Sequence, residues 1–257
     1  MDYEQFKVQV LKLTGIDLSA YKEKQMKRRI DALIAKHKFP GYAEYVQVLK
    51  QKGDMFEEFV NYLTINVSEF WRNPEQWKIL ETQVIPRLME KSGKSLKVWS
   101  AACSTGDEPY SLVMLLSKFM PMSSIRIIAT DIDKQVLEKA RVGLYNEKSL
   151  AGLPADLKAK YFTKVGLSNY QIAPEVKKCV EFKQHNLLKD PYPKMLDLIV
   201  CRNVLIYFTE EAKEDIYKKF NSSLRQGGFL FIGSTEQIMN YKELNYSSMR
   251  SFFYIKN

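Results

Sequence analysis

Residues 96–110 read LKVWSAACSTGDEPY, and this stretch limits what the chain can fold into more than any other. Four residues of strand character run straight into Ser100, Ala101, Ala102, Cys103, Ser104, Thr105 and Gly106, a loop stripped of bulk. Asp107, Glu108 and Pro109 follow, then a helical pattern through Leu112, Val113, Leu115, Leu116 and Phe119. Proline is tolerated in a first helical turn, where its missing N–H would have no partner anyway. A buried strand, a small-residue loop and an acid-lined helix N-terminus make a place where a ligand touches backbone. The acids argue against phosphate, because carboxylates repel it even at the positive end of a helix dipole. They suit a ligand offering hydroxyls and a positive charge.

The 257 residues hold ample material for one large domain or two small ones. The first residues, MDYEQFKVQV, lack a basic-then-apolar signal pattern, and no apolar run approaches membrane-spanning length. Cys103, Cys179 and Cys201 are far apart and odd in number, as expected for buried free thiols of a reducing compartment. The expected location is the cytoplasm. A net charge of +9, from 39 basic and 30 acidic side chains, favours an acidic partner without choosing among nucleic acid, membrane and protein.

Residues 1–70 read as helices only. Phe6, Val10, Leu11 and Leu13 mark a first helix that Gly15 ends; Ser19 is placed to cap a second, which runs to the Phe39-Pro40-Gly41 stop. Tyr42, Tyr45, Val46 and Leu49 make a third, and Asp54 is placed to cap a fourth. The second carries Lys22, Lys24, Lys27, Arg28, Arg29, Lys36 and Lys38 against only Glu23 and Asp31. A charge run is usually a solvated face, but these residues span consecutive turns. They are read as a docking face for something acidic, with salt-sensitive binding as its signature.

The connection at 64–74, TINVSEFWRNP, mixes Asn66, Ser68 and Arg72 with Phe70 and Trp71. The aromatic pair suits either a packed hinge or the cover of a bound ligand. Asn73 is placed to cap a helix opened by Pro74, with Pro86 expected to kink or end it.

From residue 96 strands and helices alternate. Strands are expected at 96–99, 125–130, 179–184, 195–201, 229–232 and 252–255, and helices at 108–119, 134–141 and 210–224. Apolar runs such as Ile127-Ile128-Ala129 and Leu198-Ile199-Val200 are what parallel strands covered on both faces require. The fold class is α/β, with ligands at the carboxyl ends of the strands. An insert at about 146–180 breaks the alternation with a hairpin-like pattern expected to form a small antiparallel sheet.

Polar residues stand at the strand ends. Asp131 closes the second strand where nucleotide-binding folds hold ribose hydroxyls, and Asp133 is the expected cap of the next helix. The third ends in His185-Asn186-Leu187, where a short amide can read an adenine edge. In the fourth, Arg202 and Asn203 sit inside an apolar run and would be costly if buried without partners. With only His37 and His185, the chain is short of imidazole for general-base work, and no metal-ligating cluster stands out.

SAACSTGDEPYS, ATDID, NLL, CRNVLIYF and the connecting NVSEFWR occur in order, and together they resemble the chemotaxis receptor methyltransferases, the CheR type. The resemblance covers nearly the whole chain. It implies a Rossmann-like class I S-adenosylmethionine-dependent methyltransferase domain at 71–257, with the β insert, after a helical receptor-docking domain at 1–70. It implies methyl transfer from S-adenosylmethionine to glutamate side chains of chemoreceptors, giving methyl esters and S-adenosylhomocysteine.

By this resemblance Asn66, Ser68, Arg72, Glu108, Asp131, Asn186, Leu187, Asn203 and Val204 contact the cofactor, with Ser68 where threonine is common in the family. Arg72, Arg202 and Tyr207 are the expected catalytic residues beside the transferred methyl, and no metal is expected. Lys27, Arg28 and Arg29 centre the docking face. The expected partners are the cytoplasmic methylation helices of membrane chemoreceptors, with no nucleic acid, no membrane insertion and a monomeric chain. The alternatives are an RNA methyltransferase of the same fold and a signalling module that binds S-adenosylmethionine without turnover.

Overall fold

A computed structural model describes residues 1–93 and 95–257. It divides into two compact units, Met1–Asn66 with Ile206–Asp215, and Val67–Leu205 with Ile216–Asn257.

The first unit contains α1 (Tyr3–Thr14), α2 (Glu23–Lys36), α3 (Tyr42–Leu49) and α4 (Asp54–Thr64). Asp2 and Gln5 form a reciprocal capping box at the start of α1, and Gly15 closes it at φ 76° with its N–H on the Leu11 carbonyl. Met26, Ile30, Leu33 and Ile34, one stripe of α2, are buried. Phe59 takes the rings of Phe6 and Tyr45 edge-on at 6.1 and 5.7 Å. Ser19 does not cap α2; it lies in a short 3-10 turn whose cap is Asp17, and α2 starts without a side-chain cap. Asp54 is likewise the first residue of α4 rather than its cap. Residues 206–209 join this unit by a strand-like bridge between Tyr21 and Phe208, whose rings stack at 4.6 Å. Lys22 N–H donates to the Tyr207 carbonyl at 2.9 Å, and Thr209 N–H to that of Ala20 at 2.8 Å.

The second unit opens with α5 (Pro74–Ile79) and α6 (Ile85–Ser92), joined through a π turn at Leu80–Val84. Pro86 does not end the helical run: it occupies the first turn of α6, directly after the π turn. There follow β1 (Val98–Ala101), α7 (Asp107–Leu116), β2 (Ile127–Asp131), α8 (Lys134–Val142), β3 (Leu144–Asn146), α9 (Ala155–Tyr161), β4 (Phe162–Val165), β5 (Asn169–Ile172), α10 (Pro174–Lys177), β6 (Val180–Gln184) and β7 (Leu196–Cys201). The chain ends with α11 (Glu210–Ser223), β8 (Leu224–Ile232), β9 (Tyr246–Arg250) and β10 (Phe253–Lys256).

Among the described residues the main sheet has the order β6-β2-β1-β7-β8-β10-β9. It is parallel from β6 to β8, and β10 and β9 return antiparallel. Every residue of β1 and β7 is buried, as the apolar runs required. The insert forms the separate antiparallel sheet β3-β5-β4. β9 has no strand signal in the sequence: YSSMR shows no apolar alternation, and only Tyr246 is buried on this edge. β8 begins five residues before the expected 229, a start hidden in the sequence because Gly227 and Gly228 break the apolar pattern. No helix among the described residues is long and apolar enough to cross a membrane.

Candidate active site

The carboxyl end of β1 runs into backbone that side chains rarely adopt: Ala102 at φ 61°, Ser104 at 48° and Gly106 at 90°. The loop is held on all sides. Cys103 N–H donates to the Thr130 carbonyl at 2.9 Å, Ser104 N–H to Asp131 Oδ2 at 2.8 Å, and the Tyr145 hydroxyl to the Thr105 carbonyl at 2.7 Å. A Cβ on Gly106 would lie 2.9 Å from Ala140 Cβ, so the glycine lets loop and α8 approach. Two more left-handed residues, Trp71 and Asn73, flank Arg72, and a third, Asn203, follows β7. Non-glycine residues held in this region gather where a ligand is gripped.

Ser68, Arg72, Glu108, Arg202 and Asn203 line one cleft, floored by residues 102–104. Glu108 Oε1 accepts from Ser100 Oγ at 2.8 Å and Oε2 lies 3.7 Å from Arg202 Nη1. Burial raises the Glu108 pKa and the Arg202 charge opposes that rise. Burial likewise pushes Asp131 up to about 6. Asp131 Oδ1 accepts from Asp133 N–H at 3.0 Å, and Asp133 caps α8 through Gln135 N–H as expected. Asp107 is raised by burial, against the Thr105 and Ser68 hydroxyls. Cys103 is pushed well up by burial and by Asp131 and Glu108, which makes it an inert thiol.

The two arginines differ. The Arg202 side chain is 3% exposed, and its Nη2 donates to the Arg72 carbonyl (2.8 Å), Asn73 Oδ1 (3.0 Å) and Gln76 Oε1 (2.9 Å). It thereby ties the 72–76 segment to the end of β7. Asn73 holds the N-cap position of α5 as expected, but its side-chain oxygen accepts from Arg202 and makes no cap bond. The Arg72 side chain is 33% exposed, and its Nε lies 4.0 Å from Glu69, at the limit of an ion pair.

His185 N–H donates to the Asp131 carbonyl at 2.9 Å, which places Asn186 and Leu187 beside the β2 end. The Asn186 side-chain oxygen accepts from Leu188 N–H at 2.9 Å and shapes that turn. The His185 ring meets Trp99 and Tyr192 edge-on at 5.4 Å each, a packing role. Phe70 packs against Tyr145 and Phe162, and Trp71 stacks on Trp77 at 4.8 Å, so this aromatic pair is core and not a ligand cover. Val204 follows Asn203 and is half-buried. Asn66 and Tyr207 fall in the first unit, where Asn66 Nδ2 donates to Thr64 Oγ1 at 2.8 Å.

On α2, Lys24 and Arg28 are exposed one turn apart. Lys27 pairs with Asp31 at 2.7 Å and sits over the rings of Tyr3 and Tyr42. Arg29 donates to the Tyr62 carbonyl at 2.6 Å with its guanidinium 4.4 Å over the Tyr62 ring.

Sequence reasoning missed Gln76 and Glu236. Glutamine in a helical pattern carries no site signal, and Glu236 lies in an irregular loop; both are buried polar groups. Among the described residues that line the cleft, Ser104 Oγ, Arg202 Nε and Asn203 Oδ1 are buried without a partner. Buried polar atoms are normally hydrogen-bonded. Unpaired donors and acceptors beside Glu108 and Asp131 fit a polar ligand with hydroxyls and a positive charge, as S-adenosylmethionine is.

Residues 66–253 match the family domain described as CheR methyltransferase, SAM binding domain, and residues 1–64 match CheR methyltransferase, all-alpha domain. A chemotaxis protein methyltransferase of Listeria innocua is 46% identical over 255 residues, 99% of this chain and 97% of that protein. One of Borreliella burgdorferi is 35% identical over 244 residues, 90% and 86% of the two chains. Chemotaxis protein methyltransferase 1 of Pseudomonas aeruginosa is 34% identical over 250 residues, 93% and 91%.

Proposed function

The chain belongs to the CheR methyltransferase family, with S-adenosylmethionine as cofactor, and from that premise we propose that it methylates glutamate side chains of chemoreceptors in the cytoplasm. The observation that carries this reading is that a partly buried acid, Glu108, and a partly exposed guanidinium, Arg72, line one cleft. Bound S-adenosylmethionine supplies a methyl group on a positively charged sulfur. Glu108 and Asp131 favour that charge, and their oxygens can accept from ribose hydroxyls.

Arg72 offers its donors to the incoming carboxylate, which a guanidinium binds through two parallel hydrogen bonds. A glutamate side chain, with a reference pKa of about 4.3, is already ionised at neutral pH and needs no general base. That fits a cleft without histidine. Arg202 is engaged by three acceptors within the protein, so its role is to hold the Arg72 segment in place. Alignment supplies the acceleration, and exclusion of water by the bound substrates favours the loss of opposite charges as the methyl moves.

Lys24 and Arg28, exposed one turn apart on α2, are the proposed docking contacts for glutamate-bearing receptor helices, while Lys27 is paired with Asp31 and Arg29 holds the Tyr62 carbonyl. The test offers the protein a receptor cytoplasmic fragment and bulk RNA together with labelled S-adenosylmethionine. Label on receptor peptides containing glutamate supports the proposal. Label on RNA, or none, contradicts it.

A further inference from the structure

Glu236 is 4% exposed, in the loop that follows β8. Three backbone N–H groups converge on it: Oε2 accepts from Asn203 at 3.0 Å and Gly233 at 2.7 Å, and Oε1 from Leu205 at 2.8 Å. Two of these donors lie just beyond β7 and one just beyond β8, neighbouring parallel strands. Glu236 therefore clamps two adjacent strand ends where such folds hold their ligands. The clamp fixes Asn203 at φ 60°, in a sparsely populated left-handed region that asparagine enters more readily than other side chains. Gly233 clears the way: a Cβ there would lie 2.7 Å from Asn203 N and 2.8 Å from Glu236 Oε2. The clamped residue has a buried side-chain oxygen without a partner and lines the cleft.

We propose that Glu236 is a positioning residue for the cofactor, fixing the 203–205 turn so that the Asn203 amide faces the S-adenosyl group. The proposal rests on Asn203 being a cofactor contact. The fold contains a matched control. Asp197, near the opposite end of β7, is buried and accepts from Ser92 Oγ (2.6 Å), Lys97 N–H (2.8 Å) and Arg225 Nη1 (3.1 Å). Its chemistry resembles that of Glu236, away from the cleft.

The experiment measures S-adenosylhomocysteine affinity by titration calorimetry, and Tm without ligand, for Glu236→Gln, Asp197→Asn, Asn203→Ala and the Glu236→Gln/Asn203→Ala double variant. Glutamine keeps the shape but turns a donor toward a donor. We expect Glu236→Gln to weaken binding about tenfold, and Asp197→Asn to lower Tm while affinity stays within about twofold. The double variant should bind no more weakly than Asn203→Ala alone, because Glu236 acts through that residue. Should the glutamine form not fold, Glu236→Asp keeps both oxygens at shorter reach and carries the same expectation. Weak binding by Asn203→Ala with full affinity in Glu236→Gln, or additive losses in the double variant, overturns the proposal. Full affinity in Asn203→Ala overturns its premise, and the proposal with it.

Discussion

Arg202 Nη2 donates at 2.8 Å to the backbone carbonyl of Arg72, 130 positions away in the chain. One arginine thus sets the place of the other, and their removal should have different consequences. Arg72→Ala should leave Tm nearly unchanged and reduce kcat roughly 10²–10³-fold, the usual effect of removing one preorganised charge contact. Arg202→Ala strands Glu108 without its cation and frees three acceptors, which should cost about 3–5 kcal/mol of stability. Urea denaturation beside steady-state kinetics separates the two. Equal loss of stability in both variants would contradict the division of roles.

Asp131 makes the site pH-dependent in two opposite senses. Burial pushes its carboxyl up to about 6 in the folded chain, from 3.8. The folded state therefore holds this proton more tightly than the unfolded one. The stabilising contribution is complete below pH 3.8 and is lost as pH rises through about 6. Ligand binding runs the other way, because ribose hydroxyls and a cationic sulfur favour the ionised carboxylate. S-adenosylmethionine affinity should fall between pH 7 and pH 5, and Asp131→Asn should flatten that profile. Calorimetry across this range checks both curves.

Much of this arrangement could be read from residue types. The acid at Asp131, the small residues at 101–106 and the polar pair Arg202-Asn203 each break an apolar pattern at a strand end, and breaks of that kind are visible in one dimension. What Arg202 does was not visible, because its acceptors at 72, 73 and 76 come from a distant segment. Asn73 does hold the N-cap position of α5, but the guanidinium just beyond β7 takes the side-chain oxygen that local preference would give to the helix N–H groups. Glu236 had no signal, since two of its three partners are backbone groups of another loop. Edge strand β9 was hidden because solvent, not a core, meets most of its side chains.

Gly106 tests the loop itself. Its left-handed backbone and the 2.9 Å approach of Ala140 leave no room for a methyl group. Gly106→Ala should cost about 1–2 kcal/mol for the backbone and about 1–3 kcal/mol for overpacking. It should also weaken S-adenosylhomocysteine binding, because the loop floors the cleft. Gly53, with open space around its Cβ position, is the control, and Gly53→Ala should leave binding unchanged.

The docking face yields a salt-dependent prediction. Replacing Lys24 and Arg28 with alanine should raise the KM for receptor a few-fold at low salt, with the difference from the parent shrinking as salt is added. Affinity for S-adenosylhomocysteine should not change. Arg29→Ala should instead lower Tm, since its guanidinium holds the Tyr62 carbonyl and ring. Parallel loss of receptor and cofactor binding in the Lys24/Arg28 variant would contradict the docking assignment.

The most direct test of the central claim concerns the bond that is made. Receptor-containing membranes are incubated with the protein and methyl-labelled S-adenosylmethionine, and the washed product is treated with mild base. An ester formed on a glutamate held by Arg72 releases its label as volatile methanol, and that is the predicted result. Label that stays on the receptor through base would show transfer to an atom other than a carboxylate oxygen, and would contradict the account.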